Sequence, residues 1–418
     1  MNLTIDQHRL LSEIEALARI SETDPPAVTR IVFSPKDLEA RGWLRTKFEE
    51  AGLEVRQDAI GNTFARWTGA DTAALAVATG SHIDAIPNAG KYDGVVGVLG
   101  GLEAIRALQQ SGFRPARSIE LIVFTSEEPT RFGIGCLGSR LLSGTLTPAA
   151  ARLLKDRAGV PLEDVRRQAG MQNALESVQL PSAAYCAFVE LHIEQGPLLE
   201  RAKLPLGIVE NIAAPASLQI FVQGDGGHAG AVLMPDRQDA LCAAAEVVLA
   251  VEHAARSSGS SDTVATVGIC DVFPGAINSV PSRVRLTIDA RDIDLARRDR
   301  VLAAIENQAR AISEKRKVSI RLEVVNADAP ASCSSLTTDA LMQSCRKHAL
   351  PFRKMVSRAY HDSLFMSRIA PAGMLFIPCR HGYSHRPDEY ASPEDIARGT
   401  LVLAETLWFL ARSGTPGA

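Results

Sequence analysis

Residues 75–93 read LAVATGSHIDAIPNAGKYD, an apolar run that delivers a histidine, His82, and two carboxylates, Asp84 and Asp93, directly beyond its end. Residues 75–79 are short, apolar and bounded by turn formers, which predicts a buried strand of an α/β sheet. His82 and Asp84 then fall at or just past its carboxyl end, the edge where open α/β sheets place ligands. Pro87, Asn88 and Gly90 mark the loop that leads to Asp93. A chemical reading has His82 and Asp93 ligating a metal, with Asp84 holding the imidazole of His82 in one tautomer from behind. The bland reading, a solvated polar turn, is the commoner one for a single such stretch.

The rest of the chain shifts that balance. At 418 residues it exceeds one ordinary core, so two domains are expected. Hydrophobic residues make up 46% and charged ones 22%, and 45 Lys and Arg face 48 Asp and Glu, a net −3. That balance recommends neither nucleic acid nor an acidic membrane surface as partner. No segment approaches the roughly 18 uncharged apolar residues of a membrane span. Residues 1–18, MNLTIDQHRLLSEIEALA, carry acids where a secretory signal has a basic region, and read as a first helix. Seven scattered cysteines without a Cys-x-x-Cys pair read as reduced thiols, which places the chain in the cytoplasm.

Residues 34–52 predict a helix capped by Ser34 and closed by Gly52, and 95–110 another whose opening glycines allow close packing. Residues 118–124, SIELIVF, form a strand that empties into TSEEPTRFG; 188–193 form another, emptying into EQGP; 374–378 form a third, ahead of RHGYSHRPDEY. Between them the texture changes. Strands at 217–222, 264–272, 284–290 and 319–325 alternate with helices at 239–255 and 296–315. This β-α-β-β-α-β order predicts a ferredoxin-like insert. The expected architecture is therefore an α/β catalytic domain, residues 1–206 and 328–418, with a mostly parallel sheet between helices, interrupted by a second domain at 207–327.

Four apolar strands each deliver His, Asp or Glu to what should be one sheet edge. Taken singly the residues are ordinary: Glu127 and Glu128 could be two acids at a helix N-terminus, and His192 a satisfied strand residue. Together, Asp93, Glu128, His82, His192 and His385 match the ligand count for two divalent cations about 3.5 Å apart sharing a carboxylate. Asp93 is assigned to the bridge, His82 and His192 to one ion, Glu128 and His385 to the other. Mixed imidazole and carboxylate donors suit zinc or manganese. Glu127 is the candidate acceptor for the proton of an attacking water.

GSHIDAIPNAGKYDGVVGVLGGLEAI, TSEEPTRFGIGCLGSRLLSG, ELHIEQGPLLE, GGHAGAVLMP, GAINSVPS, SRAYHDSLF and GYSHRPDEY resemble, over nearly the whole chain, the dinuclear metal amidohydrolases of the M20 peptidase family. These include allantoate amidohydrolases, N-carbamoyl-L-amino-acid hydrolases, β-ureidopropionases and ureidoglycolate amidohydrolases. The resemblance implies that His82, Asp93, Glu128, His192 and His385 hold metal and that Glu127 is the base. It makes the insert a lid and dimerisation domain, and so implies a homodimer. It places His228 at the scissile carbonyl, Asn278 and Gln195 at the substrate, and Arg291 as a clamp on its carboxylate.

Several segments, above all SRAYHDSLFMSRIAPAGMLFIPC, look most like the branch that cleaves ureidoglycolate, for which manganese is the implied metal and zinc the alternative. The expected partner is a small ureido compound bearing a carboxylate. Tyr360, with His361 beside it, is expected to shorten the pocket against bulky amino-acid side chains. The competing readings are an N-carbamoyl-amino-acid or allantoate amidohydrolase and, from another class, a catalytically silent metal-binding dimer.

Overall fold

The computed structural model describes residues 3–412. They divide into two compact units, one of residues 3–210, 332–357 and 361–412, the other of Asn211–Ala331 and Arg358–Tyr360.

At the heart of the first unit lie four parallel strands in the order Ala372–Ile377, Ala187–Ile193, Val77–His82, Ile119–Phe124. Every residue of all four is buried, as expected of strands covered on both faces. Alternation divides them between two cores. Val77, Leu121, Val123 and Val189 pack on one side with the helices Gln7–Ala18, Val95–Gln110 and Pro393–Ala411, while Ala78, Ile122, Phe124 and Phe188 pack on the other. Because the strands run the same way and are in register, with His82 opposite Phe124 and His192 opposite Phe376, their carboxyl ends share one edge.

The sheet as a whole is mixed rather than mostly parallel. Leu206–Ile212 pairs antiparallel with Ala372–Ile377 on one flank, and Thr63–Trp67 and Glu54–Gln57 extend the other flank antiparallel. The hairpin between the latter two is closed by Asp58, whose Oδ1 accepts the amides of Ile60 and Asn62, and a turn that short cannot make a parallel crossover.

Two expected helices form with the expected ends. Pro35–Glu50 starts at Ser34, whose hydroxyl accepts the Asp37 amide, and Gly52 follows it at φ 70°. Val95–Gln110 lies against the sheet through glycine: a Cβ on Gly97 would stand 2.4 Å from the Leu191 carbonyl oxygen.

The second unit is a four-stranded antiparallel sheet in the order Val264–Phe273, Arg283–Asp292, Ala214–Gln223, Ser319–Ala327. The helices Ala240–Arg256 and Leu295–Arg316 supply Val247, Val251, Val301 and Ile305 to a core shared with Leu218, Ile220, Leu286 and Ile288. In chain order the elements run strand, helix, strand, strand, helix, strand. Residues 358–360 group with this unit, not with the segment 328–418 as the sequence suggested. The Arg358 guanidinium meets Asp262 Oδ1 at 2.5 Å, and Arg291 Nη1 donates to the Arg358 carbonyl, tying the segment here.

Candidate metal centre

His82 is the last residue of its strand, and its Nδ1 lies 3.0 Å from the backbone oxygen of Asp84. The carbonyl can only accept, so Nδ1 carries the proton and Nε2 is left bare, 3.4 Å from Asp93 Oδ1. This corrects the role given to Asp84, whose carboxylate stands 3.6 Å from that ring nitrogen. Its two oxygens instead accept the backbone amides of Glu127, at 3.1 Å, and Glu128, at 3.0 Å. Asp84 thus fixes the tautomer through its backbone and fastens the glutamate loop through its side chain.

His192 repeats the arrangement: Nδ1 donates to the Ile193 carbonyl at 2.9 Å, and Nε2 lies 3.2 Å from Asp93 Oδ1. The other oxygen of Asp93, Oδ2, lies 3.4 Å from His385 Nε2, which is 3.0 Å from Glu128 Oε1. Two donor groups result, His82–Asp93–His192 and Asp93–Glu128–His385, each with its ligating atoms within 4.8 Å of one another. They share Asp93, one oxygen to each. A set of preset imidazole tautomers and clustered carboxylates is the chemistry of a divalent-cation site, and these residues fit one.

A third group, Glu190, His192 and His361, is equally compact. Glu190, however, already accepts Ser81 Oγ at 2.8 Å and the amide and hydroxyl of Ser363 at 3.1 and 2.6 Å. It braces the segment that follows His361 against the strands. His361 itself was expected at the substrate. The ring is buried, tilted against His192 with ring centres 4.4 Å apart and edge-on to Phe376, so it packs against a candidate ligand.

Glu127 and Glu128 sit in an irregular loop, the next helix beginning only at Leu137, so the helix-terminus reading of the pair falls. Cys136 donates its thiol to Glu127 Oε1 at 3.5 Å, while Oε2 faces His82 Nε2 at 3.7 Å. Burial pushes Glu127 well above the usual carboxylate range against the pull of His82, which suits a proton acceptor. Burial acts to raise Asp93 too, but the imidazoles of His192 and His82 beside it, when protonated, outweigh it and hold Asp93 well below that range. The bond to Glu128 lifts His385 to about 9.

Sequence reasoning missed Ser384, Glu389 and Cys136 here. Gln195, read as a substrate contact, donates Nε2 to Asp93 Oδ2 at 2.6 Å, and Ser384 Oγ meets the same oxygen at 2.5 Å. Ser384 stands next to His385 in the sequence, which was the available signal. Glu389 and Cys136 gave none.

In the second unit, Gly227–His228 pairs with Ser279–Val280, and Ala229 N donates to the Asn278 carbonyl at 2.8 Å, so His228 and Asn278 are neighbours. Arg291 grips Asp289 with Nε and Nη2 at 2.7 and 3.1 Å and lies 5.4 Å from the Tyr360 ring.

Comparison with known proteins fits this chemistry. Residues 78–408, which span the metal-ligand candidates, match the model of peptidase family M20/M25/M40. The chain belongs to that family. Among curated members, the ureidoglycolate hydrolase of Arabidopsis thaliana is 52% identical over 413 residues, 97% of this chain and 87% of that protein. The N-carbamoyl-L-amino acid amidohydrolase of Geobacillus stearothermophilus is 38% identical, over 98% of this chain and 99% of its own. Among solved family structures, that of AtUAH in complex with glyoxylate is 51% identical, covers 98% of both chains and superposes with a TM-score of 0.92.

Proposed function

We propose that this M20 family member hydrolyses the ureido group of (S)-ureidoglycolate, releasing glyoxylate, ammonia and carbon dioxide. The observation that carries the reading is the 52% identity, nearly end to end, to a ureidoglycolate hydrolase. The similar structure that holds glyoxylate supports the same substrate class, a small carboxylate.

His82, Asp93 and His192 would hold one divalent ion, and Asp93, Glu128 and His385 a second, with manganese preferred over zinc. Ions so held supply Lewis-acid activation of the attacking water and of the ureido carbonyl. Glu127 takes the proton of that water through Oε2, its Oε1 being occupied by the Cys136 thiol, and passes it to the departing ammonia. Water oxygen bonds to the ureido carbon and the C–N bond to ammonia breaks. The resulting carbamate loses carbon dioxide, and the remaining hydroxyglycine falls apart to glyoxylate and a second ammonia.

His228 polarises the carbonyl, Asn278 steadies the substrate and Arg291 clamps its carboxylate, exchanging Asp289 for it. Tyr360, beside Arg291, limits the room for a side chain on the substrate. Asn211–Ala331 acts as lid and dimerisation domain of a homodimer. Among the described residues no helix is long and apolar enough to cross a membrane, and the free cysteines support a cytoplasmic location.

The test is ammonia release, with manganese present, from ureidoglycolate, allantoate and an N-carbamoyl amino acid, before and after exhaustive chelation. Ureidoglycolate should turn over fastest, and activity should vanish with the metal and return with manganese. Faster release from an N-carbamoyl amino acid would make the chain a carbamoylase, and full activity after chelation would remove the metal mechanism.

A further inference from the structure

We infer that Glu389 is a positioning residue that sets the loop-borne ligand group, Asp93–Glu128–His385, by tying the Asp93 loop to the His385 loop. This rests on the metal-centre reading above.

The two loops lie almost three hundred residues apart in the chain. Glu389 Oε1 accepts the backbone amides of Tyr92 and Asp93 at 2.8 and 3.1 Å. Its Oε2 faces Ser384 Oγ at 3.0 Å, and that hydroxyl also reaches Asp93 Oδ2. One carboxylate therefore grips the bridging ligand's backbone from a point four residues beyond His385, with the Ser384 hydroxyl, which has one proton to donate, set between it and the ligand's side chain. The approach is tight: a Cβ on Gly90 would fall 2.3 Å from the Glu389 Cβ, so the loop passes only because position 90 is glycine. Tyr92 and Tyr390 pack edge to face beside it, and Arg380 N donates to the Tyr390 carbonyl.

The His82 and His192 side shares Asp93, but its two imidazoles do not depend on this tie. Those rings are held by their own strands and by carbonyls next to them. His385 has neither support: it sits on a loop at φ 60°, with its side chain 45% exposed. Loss of Glu389 should therefore weaken the loop-borne group, which loses the support of His385 as well as of Asp93, more than the group that shares only Asp93, an asymmetry that general destabilisation would not produce.

The experiment titrates the chelator-stripped, full-length protein with manganese and follows the free ion by electron paramagnetic resonance. The wild type should bind two ions, and His385→Ala identifies the phase that belongs to the loop-borne group. Glu389→Ala should weaken that phase at least tenfold and the other clearly less. Glu389→Gln, which keeps an oxygen for both amides, should stay close to wild type. Ser384→Ala should show a smaller shift in the same phase, and it carries the test should Glu389→Ala not fold. Unchanged binding in Glu389→Ala, or in Ser384→Ala where that variant stands in, overturns the proposal, as does an equal loss in both phases. A wild type that binds no manganese would instead overturn the metal reading beneath it.

Discussion

The two donor groups of the candidate metal centre meet at Asp93 but are built differently. His82 and His192 reach it from the ends of buried parallel strands, each with Nδ1 anchored on a carbonyl one or two residues ahead. Glu128 and His385 reach it from loops, one fastened through Asp84 and the other through Ser384 and Glu389. The strand half is rigid because the sheet makes it so. The loop half is accurate only as long as its hydrogen-bonded ties hold, and it is also the half open to solvent.

Neighbouring glutamates divide between these halves, and separating them is the largest effect to look for. Glu127→Gln should lower kcat roughly 10²- to 10⁴-fold, the range for loss of a general base, with manganese stoichiometry unchanged. Glu128→Gln should cost an ion from the loop half. Metal loss in the first variant, or full turnover, would mean that the two side chains do not have separate tasks.

Stability should show the same contrast on a smaller scale. In the metal-free protein His192→Ala removes a buried ring packed on His82 and His361 and should cost roughly 2–4 kcal/mol in urea unfolding. His385→Ala removes a half-exposed ring and should cost about 1 kcal/mol or less. Equal costs would erase the distinction.

The smallest effect is in pH. An imidazole must lose its proton to ligate, and Glu128 keeps that proton on His385 up to about pH 9. Manganese affinity of the loop half should therefore rise about tenfold per pH unit below 9 and level off above it. The metal-free chain runs the other way. The His385 pKa is raised on folding, so its contribution to stability is full below the ordinary histidine value near 6.5 and is lost as pH rises through about 9. An affinity independent of pH between 7 and 9 would contradict the pairing of His385 with Glu128.

Much of the strand half was legible in the sequence, because a short apolar run between turn formers reads as a buried strand whatever surrounds it. Residues 75–82 and 188–193 thus announced where their histidines would stand. The loop half was legible only as residue types near strand ends. That GYSHRPDEY carries a candidate ligand was read from a histidine following the strand at 374–378, and the family resemblance implies the same. That Glu389 lies against the Asp93 backbone follows from no local pattern.

His361 shows the same limit from the other side. Its motif pointed to substrate, and nothing local announced that its ring would also pack against His192, where Glu190 and Ser363 hold the segment. Asp84 was singled out correctly and given the wrong bond, since nothing in HID says whether carbonyl or carboxylate meets the ring.

By itself the sequence determined the strand positions, the order of elements in the second unit and the residue types gathered at one sheet edge. Periodicity and turn chemistry act over a few residues and need no partner. Only the tertiary structure decided the antiparallel flanks, the division of Asp93 between two donor groups and the ties made by Asp84, Gln195, Ser384 and Glu389. Those depend on fractions of an ångström between segments distant in the chain, where a hydrogen bond either closes or does not.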